Sequence, residues 1–200
     1  MPDEDALPFP PERAPRDLPH LEEEPLSAWR LHRGPDALAI ALYEEGRFRF
    51  DAPAGQYSTV YANADRLGAF AEVYGDAGRI GPLEGSGRSL SHVYSTGPLR
   101  LVALDRGETQ KALGLDTRIC VSRRYETTRQ WAYAIHRWYP EASGIRYLSR
   151  HASPHHNYCL FLDRCRHLLV AELEGRLEEL RATVLLAAAR YRLRSEIMWR

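Results

Sequence analysis

Between Leu26 and Arg194 the apolar residues switch repeatedly between the two-residue alternation of a strand and the 3.6-residue period of a helix, and no other feature constrains the fold as much. The pattern predicts a short strand around Trp29–His32, a turn-rich stretch to Gly55, a strand Ser58–Ala62 and a helix Ala64–Tyr74 opening at Asn63. Leu67, Phe70, Ala71 and Tyr74 form the buried stripe of that helix. A loop rich in Gly and Ser, Gly75–Ser91, precedes a strand Leu99–Leu104, a short helix near Glu108–Leu113 and a longer one near Glu126–Trp138. Strands follow at Ile145–Leu148, Tyr158–Leu162 and His167–Ala171, then a long helix Gly175–Arg194 with Leu177, Leu180, Val184, Leu185 and Ala188 on one side. Such an order predicts an α+β fold, with mixed or antiparallel sheets and flanking helices, and contains no internal repeat.

Two hundred residues suffice for one domain with a full core, expected over 26–200. Residues 1–25 hold seven prolines and eight acidic residues, too little apolar surface to offset ordering entropy, and read as a flexible or surface-draped arm. No run of 18 apolar residues exists, and the start, Met1-Pro2-Asp3-Glu4-Asp5, is acidic where a secretory leader is basic; a cytoplasmic protein without membrane contact is expected. Zero formal net charge gives no warrant for nucleic-acid binding. Lys111 is the only lysine, so positive charge is carried by arginine; genome composition is the plainer account, although arginine's planar fork also suits phosphate. Three cysteines, Cys120, Cys159 and Cys165, make no disulfide framework.

Familiar nucleotide and hydrolase signatures are missing. Lys111 follows Gln110, not Gly, so no P-loop exists; Gly85-Ser86-Gly87-Arg88-Ser89-Leu90 lacks the third glycine of a dinucleotide fingerprint, and no Gly-x-Ser-x-Gly elbow occurs. His151, His155, His156, Cys159, Cys165 and His167 crowd one segment, but their spacing fits no zinc module, and a strand from Tyr158 would put Cys159 and Phe161 on one face. No metal is expected, and a loop histidine cluster with buried thiols is the plainer account.

Five segments, in order, carry a resemblance: Trp29-Arg30-Leu31-His32, Arg49-Phe50-Asp51, Val60-Tyr61-Ala62, Ala69-Phe70-Ala71-Glu72-Val73 and Gly144-Ile145-Arg146-Tyr147-Leu148-Ser149-Arg150. Together they resemble the RES domain, a family named for its Arg, Glu and Ser residues, over about residues 28–172. The resemblance implies an ADP-ribosyltransferase-like fold and consumption of NAD+ as substrate, with no cofactor. Inorganic phosphate is the implied co-substrate of an NAD+ phosphorylase, water that of a glycohydrolase, and a protein side chain that of an ADP-ribosyltransferase. It also implies a toxin paired with an antitoxin that carries a helix-turn-helix domain; a catalytically silent nucleotide binder is the competing class.

On this resemblance Glu72, Arg30 and Tyr61 are the catalytic candidates, and Arg49, Ser149, Arg47 and Arg150 the substrate-binding ones. Cleavage of the nicotinamide–ribose bond shifts positive charge onto the ribose, and a carboxylate stabilises it. Glu72 lies about 140° around the helix from Leu67, and Gly68 and Ala69 leave room for a ligand; without the resemblance it reads as an exposed helical glutamate. Strand alternation turns Arg30 away from Trp29 and Leu31, toward a diphosphate or a surface ion pair. The same alternation separates Arg47 and Arg49 from Phe48 and Phe50, so the two arginines could share one anion. Tyr61 offers a ring or a hydroxyl to the ligand, or is a core tyrosine, with Tyr57 a second choice. Ser149 positions ligand or caps a loop, and Arg150 adds charge for phosphate. The arm and the last helix read as leader and core cap, or as elements of assembly or self-occlusion.

Overall fold

The computed structural model describes residues 7–39 and 46–195. Its elements run β1 (Glu22–Arg33), β2 (Thr59–Asn63), α1 (Gly68–Tyr74), β3 (Arg79–Ile80), β4 (Arg88–Ala103), α2 (Gly107–Ala112), α3 (Arg118–Val121), α4 (Tyr125–Trp138), β5 (Gly144–Leu148), β6 (His156–Phe161), α5 (Leu162–Cys165), a 3-10 turn Arg166–Leu168, β7 (Leu169–Arg176), α6 (Arg181–Arg190) and β8 (Arg194–Ser195). The α+β class follows directly. The main sheet has the order β1-β2-β6-β5-β4-β7, and β1 also pairs with β4, so five strands close into a ring with β7 on its outside. All its pairings are antiparallel except β4–β5. Closure leaves β7 as the one outer strand of this sheet among the described residues, where an open sheet would present two edges.

Sequence and structure part company at the long strands. β1 begins at Glu22, ahead of Leu26, and runs in register with β4 from Glu22↔Leu101 to Arg33↔Arg88, with a bulge between Pro25 and Ser27. The bulge suits a proline that has no N–H for the ladder. Acidic Glu22 and Glu24 hold this end because Arg146, 4% exposed, donates to Glu24 (2.6 Å), Glu22 (2.7 Å) and Asp105 (3.0 Å). Upstream, Leu7 is buried, the Trp131 indole donates to the Pro8 carbonyl (2.7 Å) and the Tyr139 hydroxyl to that of Pro19 (3.0 Å). Residues 7–21 are therefore draped over the body; residues 1–6 lie outside the described residues, as do 40–45 of the turn-rich stretch. Strand β4 takes in most of what reads as the end of the Gly/Ser loop, and the expected helix Gly175–Arg194 is instead the end of β7, a turn and the shorter α6.

Three packed clusters fill the fold. One lies between α4 and the sheet, with Phe50, Trp131, Ile135, Tyr147, Cys159 and Phe161. A second, on the opposite sheet face, holds Leu26, Ala28, Val60, Ala62, Val93, Leu99 and Leu160. The third seats α1 and α6 on β1 and β4 through Phe70, Leu31, Leu90, Val184 and Ala187. Cys120, Cys159 and Cys165 are free and buried, and burial pushes their thiols up. Among the described residues no group of three or more His, Cys, Asp or Glu side chains could hold a metal ion, and no helix is long and apolar enough to cross a membrane.

Candidate functional site

Helix α1 opens at Gly68, later than the expected start at Asn63, because Asn63 and Asp65 hold the turn ahead of it: Asn63 Oδ1 accepts from the Asp65 N–H (2.8 Å) and Asp65 Oδ2 from the Gly68 N–H (2.6 Å). A Cβ at Gly68 would collide with the Asn63 side chain and stand 3.1 Å from the Ala152 Cβ. The gap expected beside Gly68 and Ala69 is thus filled by protein, and both residues are buried. What α1 presents toward the site is Glu72, half-buried on the next turn.

The Ser149 hydroxyl, at the end of β5 and itself buried, donates to Glu72 Oε1 and accepts from the Ala152 N–H at 2.7 Å. The amide occupies one lone pair and leaves the hydroxyl hydrogen to the carboxylate, so the serine has one orientation. Around this pair stand Tyr147, whose phenol is pushed well above its usual range by burial first and Glu72 second, and His151, whose ring packs against Gly75. Burial lowers the His151 pKa; the Glu72 carboxylate opposes that shift and Arg150 reinforces it. Arg150 sends Nη2 to both oxygens of Asp76 (2.6 and 2.7 Å) and Nε to His151 Nε2 (3.2 Å), and Arg123 reaches the same Asp76 at 3.4 Å.

A second group forms around Asp51. Its carboxylate accepts from the Arg47 N–H (2.9 Å), the Phe48 N–H (2.7 Å), the Thr59 hydroxyl (2.8 Å) and the Tyr61 hydroxyl (2.9 Å). Residues 48–51 are bend and turn, so strand alternation does not govern Arg47 and Arg49. Phe50 is fully buried while Phe48 is 46% exposed, and Arg49, 7% exposed, turns inward to the Ser122 carbonyl and the Tyr125 ring. Arg47 lies over the Phe48 ring instead, so the two guanidiniums have different surroundings and do not form the shared anion site that alternation suggests.

Tyr61 donates to Asp51 and accepts from the Phe50 N–H (2.9 Å); burial, with Cys159 and Asp51 behind it, raises its phenol well above the usual range. Its donor is therefore committed, and its ring, edge-on to Phe48 at 5.7 Å, is what remains for a ligand. Arg30 donates to the Tyr61 carbonyl (3.1 Å), and both line a small cavity of about 70 Å³ with Phe48, Asp51 and Thr59. Tyr57 is a core residue, stacked on His136 at 4.3 Å. A larger groove, about 370 Å³, lies between the N-terminal segment and the end of α4 and is lined by none of the nominated residues.

Glu72, Ser149 and Arg150 are therefore brought together, as are Arg30 and Tyr61, and the two groups meet through the Phe50–Tyr147 ring contact at 4.8 Å. The clustered histidines disperse: His151 faces Arg150 and Asp76, His155 meets Arg190 (2.9 Å) and His156 lies 3.4 Å from Asp105. Sequence reasoning assigned no role to Asp51, Tyr147, Asp76 or Arg123. Asp76 lies in the turn just past the end of α1, outside both the expected helix and the observed one, so helical spacing gave it no signal.

Residues 27–182 match the RES domain family, which takes in β1 from Ser27 through the start of α6. Among solved structures, a chain in the crystal structure of the M. tuberculosis MbcT–MbcA toxin–antitoxin complex is similar in fold, with a TM-score of 0.54 at 16% identity over 82% of this chain and 92% of that one. No curated protein matches the chain. With the family's match spanning the closed sheet and both halves of the site, the chain belongs to the RES domain family.

Proposed function

We propose that this protein consumes NAD+ by cleaving the nicotinamide–ribose bond, with inorganic phosphate as the acceptor, and that it is the toxin of a toxin–antitoxin pair. The observation that carries this reading is the Glu72–Ser149 hydrogen bond, which fixes a carboxylate beside Tyr147 and His151. Nicotinamide departs as a neutral base, so its loss needs no acid. The ribose carbon that it leaves gains cationic character, which the Glu72 carboxylate stabilises while accepting from a ribose hydroxyl. A phosphate oxygen then bonds to that carbon, giving an ADP-ribose phosphate; water in its place gives ADP-ribose.

In this reading Arg30 adds positive charge beside the Tyr61 ring, Tyr61 and Phe48 offer ring faces to the base, and Ser149 holds the carboxylate in place. The fold likeness to a chain of a toxin–antitoxin complex supports a protein partner, proposed as an antitoxin with a helix-turn-helix domain, in the cytoplasm. Incubation of purified protein with NAD+, with and without phosphate, tests the reading through nicotinamide release and the sugar product. Glu72→Gln should lower release by more than about 100-fold, in the range of a lost electrostatic stabiliser, and leave the melting temperature within about 2 °C. Undiminished release from Glu72→Gln would refute the assignment.

A further inference from the structure

We propose that Arg150 and Arg123 form a binding site for a phosphate-type oxyanion, and that Asp76 is a resident, exchangeable anion on it. The inference rests on the reading above and names a part of the site which that reading leaves open. Two guanidiniums converge on one carboxylate, Arg150 Nη2 at 2.6 and 2.7 Å and Arg123 Nη2 at 3.4 Å, and the His151 ring, whose Nε2 accepts from Arg150, stands beside it. The carboxylate is a poor match for them. Both of its bonds to Arg150 come from a single nitrogen, where the strong arrangement uses two parallel N–H donors. Arg150 Nη1 is buried and meets no acceptor among the described residues, a costly state for a charged donor.

Asp76 is also easily displaced. It is 58% exposed, Arg123 is more exposed still, and ion pairs of this kind contribute little. A phosphate group carries nearly two charges and three acceptor oxygens, enough to serve Nη1, Nη2 and Arg123 together. Its place would be the turn just past the end of α1, four residues after Glu72, and Arg150 adjoins Ser149, which holds the Glu72 carboxylate. The ligand chemistry is thus an oxyanion delivered beside the reacting sugar, either as the diphosphate of the dinucleotide or as free phosphate.

Calorimetric titration of the full chain with inorganic phosphate and, separately, with ADP-ribose tests this on the natural sequence, Asp76→Asn and Arg123→Gln at matched ionic strength. Removing the competing charge should tighten binding about two- to fivefold, the size of an exposed ion pair, and Arg123→Gln should weaken it by a similar factor. Tightening confined to phosphate identifies the acceptor as the source; tightening confined to ADP-ribose identifies the diphosphate. Equal affinities across the three proteins, or no binding by any of them, overturn the inference. If Asp76→Asn binds more tightly while the natural sequence releases no nicotinamide from NAD+, the oxyanion site stands and the NAD+ reading falls. Nicotinamide release with unmoved affinities has the opposite meaning.

Discussion

The Asp51 side and the Asp76 side of the site use the same chemistry, a carboxylate among donors, to opposite ends. Asp51 is 7% exposed, and its four donors come from backbone and neutral hydroxyls at 2.7 to 2.9 Å, so a turn without regular structure is held as firmly as a strand. Helix α4 reinforces it, with Thr128 Oγ1 donating to the Arg49 carbonyl (2.6 Å) and Arg129 Nε to that of Phe48 (3.1 Å). Asp76 is exposed and its partners are charged side chains, one of which keeps a buried donor without an acceptor. A buried carboxylate with neutral donors builds structure, whereas an exposed one among arginines marks where an anion can be exchanged.

The contrast breaks most visibly at Asp51 itself. Asp51→Ala leaves two N–H groups and two hydroxyls without their acceptor and should cost about 3–5 kcal/mol, read as a lower urea midpoint; a loss under about 1 kcal/mol would mean that the turn is held by other contacts. Asp76→Asn in the same titration should move stability by less than about 0.5 kcal/mol. Gly75→Ala is intermediate, because its Cβ would strike the Ala71 carbonyl and come within 2.5 Å of the His151 ring, at the tight end of α1. It should cost about 1–3 kcal/mol and, by pushing His151 against Arg150, weaken phosphate binding as well.

The smallest effect expected is acid sensitivity. His32, His136 and His151 all have pKa values lowered by burial. The unfolded chain therefore binds protons that the folded one refuses, so stability is full above the unfolded histidine value of about 6.5 and declines as the pH falls through the lower folded values. Melting curves between pH 7.5 and 5 check the sign. A midpoint that rises on acidification would show that these rings are protonated in place.

Local pattern located the compact elements well: α4 and β6 each begin within two residues of their sequence-based starts, because Trp131 and Ile135 on one, and Cys159 and Phe161 on the other, follow a clean period. It failed where stability comes from distant partners. Glu22 and Glu24 read as part of a flexible or surface-draped arm, not as strand, because nothing near them reveals Arg146. Strand β4 reads as loop over Arg88–Ser91 because Ser89 and Ser91 are poor strand formers, yet β1 on one side and β7 on the other supply the pairing. At the site, Glu72 and Ser149 were legible as residue types, but their hydrogen bond depends on the loop from Ser149 to His155 closing on itself through the Ser149 N–H to His155 carbonyl bond of 2.9 Å.

Closure of the sheet also sets the order of events at synthesis. β2 pairs with β6 through Thr59↔Phe161, and Ser149 must reach Glu72 across a comparable stretch of chain, so neither link exists while the polypeptide is half made. Such distant pairings slow folding, to milliseconds or seconds in small domains dominated by them. A fragment that stops short of Ser149 therefore holds Glu72 without the hydroxyl that orients it, and one that stops short of Phe161 leaves β2 without its ladder partner.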